Sequence, residues 1–168
     1  IVSAFLAATA TKVALYVMLR FMLGIFGADF ALHEMPFDKI LLVLGILGVL
    51  SASLVAIYED DVKRMLAYSS VAQIGYMVLG IGVATAAGVS AGVLHLFNHA
   101  LMKGALFLAL GAVAYRLGTV SLRDFAGLGW RMPWTMGAIV VGGLSLIGVP
   151  PTVGFISKWY LVLAVLER

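Results

Sequence analysis

The chain has 168 residues, 63% hydrophobic and 11% charged, with a mean hydropathy of +1.11. A soluble domain carries about a quarter charged residues, so this chain lacks the polar surface to stay dissolved, and its outer face meets lipid. The net charge of +3 and pI near 9.3 then point to basic loops on the cytoplasmic side rather than to nucleic acid, and the lack of cysteine excludes disulfides and thiolate-held metal or iron–sulfur sites.

A bilayer core needs roughly 20 apolar residues in helix, and on that measure the chain divides into five spans. The first covers about 2–26, with no charged leader and no cleavage site, so it is not a signal peptide. It opens inside a hydrophobic run, and the last span closes at "LER", which reads as an internal piece of a longer protein. The polar segment "GADFALHEMPFDK" separates it from a second span at about 37–58, which "EDDVKR" ends abruptly. The third span, about 65–85, runs into the small-residue turn "ATAAGVS". The fourth, about 91–115, is followed by the amphipathic connector "RLGTVSLRDFAGLGWRM".

The last apolar run, about 133–166, is too long for one straight crossing at 1.5 Å per residue. Inside it lies "LIGVPPTVGF", where Pro150 and Pro151 remove backbone donors and clash with the preceding turn, so the helix must break there. Broken helix at membrane depth is tolerated only where freed carbonyls face protein or a wet cavity. That points to a functional interior.

Loop charges predict an orientation. Lys63, Arg64, Arg116, Arg123 and Arg131 follow spans two and four, against Arg20, Lys39 and Arg168 on the other side. The positive-inside rule makes the first group cytoplasmic. Glycines scattered through the spans (Gly45, Gly48, Gly75, Gly80, Gly111, Gly142 and Gly143) suit close helix packing.

The ionisable residues inside the spans carry the functional signal. A lysine mid-span costs on the order of 2.5–3.5 kcal/mol on insertion scales, so such residues face a bundle interior or a hydrated path. Lys12 lies mid-span in "ATATKVALYVMLR", and Lys158 follows the double proline in "GFISKWYL". In "LHLFNHALMKGALFLALGAVAY", His95, His99 and Lys103 recur every four residues. At helical geometry each lies about 40° further round and about 6 Å further along, a ladder of exchangeable protons on one face. A buried amine with no counter-ion is poised to lose its proton, as a proton relay requires. The simpler readings are that His95 hydrogen-bonds a neighbouring helix and that Lys12 snorkels.

Glu59, Asp60 and Asp61 sit beside Lys63 and Arg64 at a helix start, where capping is the default reading. Ser69, Ser70, Gln73 and Tyr76 form a polar strip on the third span that either holds water or bonds between helices. His33 reads as a solvated loop residue. The chain contains no GxGxxG, Walker or HExxH motif. The His95–His99 pair has metal-site spacing, but the nearest ionisable group, Lys103, repels a cation, so neither metal nor cofactor is expected.

"DDVKRMLAYSSVAQIGYMVLGIG", "HLFNHALMKGALFLALGAV" and "LSLIGVPPTVGFISKWYL", in that order, resemble the proton-conducting module of antiporter-like subunits. These are the large membrane-arm subunits of respiratory complex I and the A and D subunits of Mrp-type sodium/proton antiporters. "SAFLAATATKVALYVMLRF" is similar to the helix before these motifs, so the resemblance covers nearly the whole chain.

The resemblance implies an all-α polytopic membrane protein in which residues 1–168 form one transmembrane region, part of a larger helical bundle. That region is helices eight to twelve of a fourteen-helix core, most of its second inverted repeat, with two discontinuous helices. It also implies roles. Lys12 matches the group linking two half-channels, and His99 and Lys103 the centre of a broken eleventh helix, with His95 beside them. Lys158 matches the terminal lysine of a broken twelfth helix, where the path opens outside, and Asp61 and Lys63 match a "D-x-K-R" boundary motif. The expected function is proton translocation as a subunit of a bacterial or archaeal inner-membrane antiporter. Its partners are other membrane subunits, and its cargo is protons, with Na⁺ left open as a second cargo. The alternative is a proton-pumping subunit of NADH–quinone oxidoreductase or of a membrane hydrogenase. The motifs read most like Mrp-type D subunits or their hydrogenase relatives, and Lys158 argues against the complex I branch that carries glutamate here.

Overall fold

The computed structural model describes residues 2–167, with the side chains of Ser3 and His33 outside the description. The expectations for His33 as a solvated group and for Arg168 in the charge count therefore lie outside the described residues.

The described chain is a succession of helices: α1 (Val2–Arg20), α2 (Phe37–Ile57), α3 (Val62–Gly82), α4 (Ala86–Leu117), the single-turn α5 (Leu128–Arg131), α6 (Pro133–Ile147) and α7 (Val153–Leu166). Local chemistry sets most boundaries. Asp61 caps α3, its carboxylate accepting from the Arg64 amide at 3.0 Å, as the acidic run suggested. Thr85 caps α4 in the same way through the Gly88 amide at 3.0 Å, and Gly118 ends it at φ 73°. Pro133 stands at the first turn of α6, where its missing donor costs nothing. Beyond Arg20 the first span continues through a wide turn at Phe21–Ile25, and a second such turn at Phe30–Glu34 occupies the segment before α2.

The stretches Ala4–Ile25, Phe37–Ile57, Val62–Gly82 and Ala86–Leu117 are long and apolar enough to cross a membrane, while α6 and α7 are shorter apolar helices. The long final run breaks where expected. Gly148 leaves α6 at φ 91°, Pro150 and Pro151 are joined by a cis peptide, and α7 resumes at Val153. The second discontinuity implied by the resemblance is absent. α4 runs as one unbroken 32-residue helix through Lys103. Physically, "NHALMKGALF" holds no proline, and a lone glycine weakens a helix without removing its backbone bond.

α4 is the hub of the bundle, packing against α1, α3, α6 and α7, while α2 pairs with α3. α2 and α3 approach closely where Gly45 faces Gly75: a Cβ on Gly45 would lie 2.9 Å from the Gly75 carbonyl oxygen. Gly111 and Gly143 have nothing within 4 Å of such a Cβ, so packing within this chain does not account for them. The outward face of α4 carries exposed Phe97, Leu101 and Leu108, an apolar stripe suited to lipid or to further helices.

The loops after α2 and α4 lie against each other. The Val62 amide donates to the Val120 carbonyl at 3.0 Å, the Leu122 amide donates to Asp60 at 2.8 Å, and Arg116 donates to the Arg131 carbonyl at 3.3 Å. The basic residues counted together from the sequence thus share one end of the bundle. Exposed Tyr58, Tyr115, Trp130 and Trp134 surround that end, as in an aromatic belt at a membrane interface.

Candidate functional site

The hub helix turns one polar face inward. His95, His99 and Lys103 are all 0% exposed, and Lys12 on α1 is 4% exposed, so none reaches the bundle surface. Lys12 does not snorkel: its ammonium donates to the Ala7 carbonyl of its own helix. Lys103 reaches across to α3, donating at 2.5 Å to both the Leu66 carbonyl and the Ser69 hydroxyl. Ser69 in turn donates to Leu66 at 3.0 Å, closing a small ring around the ammonium.

His95 sits between three helices. Its Nε2 lies 2.8 Å from Gln73 Oε1 on α3, and its Nδ1 lies 2.8 Å from Ser157 Oγ on α7. Gln73 uses its amide nitrogen to donate to the Leu146 carbonyl at 3.4 Å. Lys158 donates to the same carbonyl at 2.9 Å and to that of Ile147 at 3.1 Å, and its ammonium lies 4.9 Å from the Tyr76 ring centroid. Those two carbonyls belong to the last turn of α6, which the break leaves without helical partners. Lys158 therefore fills the role that the next turn of helix would have filled, and a cation there also complements the helix dipole.

The ladder read from the sequence is thus a connected set at its α7 end and a loose one at its centre. The His95 and His99 rings stack with centroids 6.2 Å apart and planes inclined by 14°. Neither nitrogen of His99 has a hydrogen-bonding partner among the described residues. The polar strip on α3 bonds between helices: Ser69 serves Lys103, Gln73 serves His95, and Tyr76 meets His95 edge-on at 6.3 Å. Ser70 instead donates back to Leu66 at 3.1 Å within α3. A cavity of about 640 Å³ borders Ser69, Gln73, Leu146 and Lys158 and extends to Glu59 at the basic end.

The boundary motif stands apart from this set. Asp61 is occupied in capping, Lys63 is exposed, and Arg64 pairs with Glu59 at 3.2 Å. No cluster of three or more His, Cys, Asp or Glu residues suited to a metal occurs among the described residues.

Sequence reasoning missed Ser157, Asn98 and Ser145. Asn98 donates to the Val153 carbonyl at 3.0 Å, tying the start of α7 to α4, and Ser145 Oγ receives the Gly154 amide at 3.3 Å, fastening the two sides of the break. The signal for Ser157 was present: it shares the buried face of α7 with Gly154, Leu161 and Ala164 at helical spacing.

The whole chain, residues 1–168, matches the family model described as NADH:quinone oxidoreductase/Mrp antiporter, TM. The chain belongs to that family. It is 46% identical over 166 residues to NADH-quinone oxidoreductase subunit N of Desulforudis audaxviator, covering 99% of this chain and 33% of the relative. It is 34% identical over 164 residues to the D subunit of the Na(+)/H(+) antiporter of Alkalihalophilus pseudofirmus, covering 97% of this chain and 32% of that one. Among solved structures, the Mrp complex from Dietzia sp. superposes with a TM-score of 0.90 at 33% identity, over 98% of this chain and 30% of the matched one. The chain therefore spans about a third of the length of the curated relatives it matches. It is an all-helical integral membrane protein of the antiporter-like family, as its sequence implied.

Proposed function

We propose that this chain carries the central and exit part of a proton path in a multi-subunit membrane complex. In this reading residues 1–168 correspond to helices eight to twelve of the larger bundle, most of its second inverted repeat. The exchangeable groups are Lys12, His99, Lys103, His95 and Lys158. The observation that carries the reading is that His95, His99 and Lys103, all 0% exposed, share the inward face of α4, with Lys158 held close to His95 through their common neighbours Gln73 and the Leu146 carbonyl. Basic groups held at membrane depth without carboxylate partners exchange protons when a neighbour's charge changes, as coupled sites do. The basic end is cytoplasmic by the positive-inside rule. The cavity running from Glu59 to Lys158 supports an entry side at that end. The deep charges are basic, whereas Na⁺ favours carboxylate and carbonyl oxygens, so this segment moves protons.

The test is Lys103→Ala or Lys158→Ala in the full-length parent, assayed for ion-coupled pH changes in vesicles. Loss of transport is expected, and wild-type transport in either variant sinks the relay.

A second reading has its own support. The 46% identity to the oxidoreductase relative exceeds the 34% identity to the antiporter relative, which favours a membrane subunit of an NADH–quinone oxidoreductase over an Mrp antiporter. Lys158 pulls toward the antiporter branch. The purified complex decides: flavin and iron–sulfur absorbance supports the oxidoreductase, and a complex without either supports the antiporter.

A further inference from the structure

Ser157 is fully buried, carries no charge and lies within hydrogen-bond distance of His95. Its surroundings fix what it can do. Gln73 is held one way round, because its amide nitrogen must face the Leu146 carbonyl at 3.4 Å, so Oε1 faces His95. An amide oxygen only accepts. His95 Nε2 must therefore carry a hydrogen whether the ring is neutral or charged, and every change of charge on His95 takes place at Nδ1, the nitrogen facing Ser157.

A neutral His95 presents a lone pair at Nδ1, which needs a donor. A charged one presents N–H, which needs an acceptor. A hydroxyl is both, provided its hydrogen has somewhere to go when it turns away. Ser157 has that place: its oxygen lies 3.3 Å from the Gly154 carbonyl and 3.4 Å from the Val153 carbonyl. The Val153 carbonyl already accepts from Asn98 at 3.0 Å, which leaves Gly154 as the freer acceptor.

We propose that Ser157 is a hydroxyl rotor that positions His95 and satisfies it in both protonation states, making His95 a proton-carrying member of the path. This rests on the relay reading above and assigns the positioning residue for one of its steps. When His95 is neutral, the Ser157 O–H donates to Nδ1. When a proton from hydronium in the path binds Nδ1, one N–H bond forms, a water molecule is released, and the ring gains one positive charge. The Ser157 O–H, unbroken throughout, swings to the Gly154 carbonyl, and its oxygen accepts the new N–H. Release of the proton reverses each move. The other titratable groups facing His95 are His99 on its own helix, Tyr76 on α3 and Lys158 on α7.

The test uses the full-length parent in its assembled complex, with transport in inverted vesicles normalised to assembled protein and recorded across pH. Ser157→Ala removes the rotor, and Ser157→Cys keeps a side chain of similar shape with a weak donor. Ser157→Ala is expected to slow transport about tenfold or more and to displace its pH profile, with Ser157→Cys intermediate. His95→Phe supplies the decisive background, read as the unfolding temperature of the assembled complex because transport itself needs His95: a ring without nitrogen has nothing for Ser157 to serve. Ser157→Ala or Ser157→Cys added to His95→Phe is expected to cost nothing further. Equal losses with and without His95 overturn the proposal, as does wild-type transport with an unmoved pH profile in whichever Ser157 variant assembles. If Lys103→Ala and Lys158→Ala also transport normally, the relay reading itself has failed. If they are dead while the Ser157 variants behave as wild type, only the rotor has.

Discussion

On the proposed relay Lys158 has two separable duties, and Lys158→Arg divides them. Its ammonium closes the open end of α6 by donating to the Leu146 and Ile147 carbonyls at 2.9 and 3.1 Å. A guanidinium has more donors in a longer side chain and can keep those bonds. It cannot do the second duty, which is to give up a proton. Reference pKa values for Arg and Lys differ by about two to three units, so loss of the proton becomes on the order of 100- to 1000-fold rarer. Lys158→Met makes the complementary change, removing both duties. Its structural cost is small: Leu146 keeps the Gln73 amide as a second donor, and Ile147 is an exposed residue. The loss is about one hydrogen bond, roughly 1–2 kcal/mol. The expected pattern is therefore near-normal thermal stability in Lys158→Arg, a modest loss in Lys158→Met, and no proton transport in either. Unfolding of the detergent-purified parent reads the first quantity and pH-coupled dye quenching in vesicles reads the second. Wild-type transport by Lys158→Arg would refute the reasoning, because a side chain that holds its proton could then serve the path.

Three further outcomes are expected. Gly154→Ala drives a Cβ onto the Ser145 carbonyl oxygen and within 3.3 Å of Met102 Sδ, so the two sides of the break must part; the cost is about 1–3 kcal/mol or more, read as a lowered unfolding temperature, and an unchanged temperature contradicts the close approach. Asp61→Ala removes the α3 cap and costs about 1 kcal/mol of stability, while transport per assembled protein stays at the wild-type rate; lost transport would assign Asp61 a place in the path. Gln73→Leu frees His95 Nε2 and loosens its link to the Leu146 carbonyl, slowing transport about tenfold in the vesicle assay, and a normal rate shows that His95 needs no fixed tautomer.

The spans were legible because hydropathy and proline chemistry are local. The break at Gly148–Thr152 follows from Pro150 and Pro151 whatever packs around them. The continuity of α4 was equally local, since nothing near Lys103 prevents helix, and the expectation of a break there came from resemblance rather than from these residues. Partners were the unreadable part. The sequence allows His95 a bond to a neighbouring helix but does not name the partner, because Gln73 lies 22 residues away and Ser157 lies 62 away. The polar strip on α3 gave half of that answer in advance. Ser157 was hidden beside Lys158, whose charge draws attention in a one-dimensional reading.

The lysines of the site share one choice of partner, and it bears on how a proton could leave them. Lys12 is seated on the Ala7 carbonyl, Lys103 on the Leu66 carbonyl and Ser69 hydroxyl, and Lys158 on the Leu146 and Ile147 carbonyls. None of these seats is a carboxylate. A carboxylate would hold the ammonium by full charge attraction, strong at low dielectric, and that attraction would vanish on deprotonation, leaving an unpaired buried anion. A carbonyl attracts the charged form less, and a neutral amine still donates to it through N–H. The change of charge then costs each seat comparatively little, and the protonation of one site is left to follow the charge of the next. A carboxylate placed at one seat, as in Ser69→Asp beside Lys103, should therefore preserve folding while arresting transport, because it pins the proton where the path needs it to pass. Normal transport by an assembled Ser69→Asp complex would show that the uncharged seats are incidental.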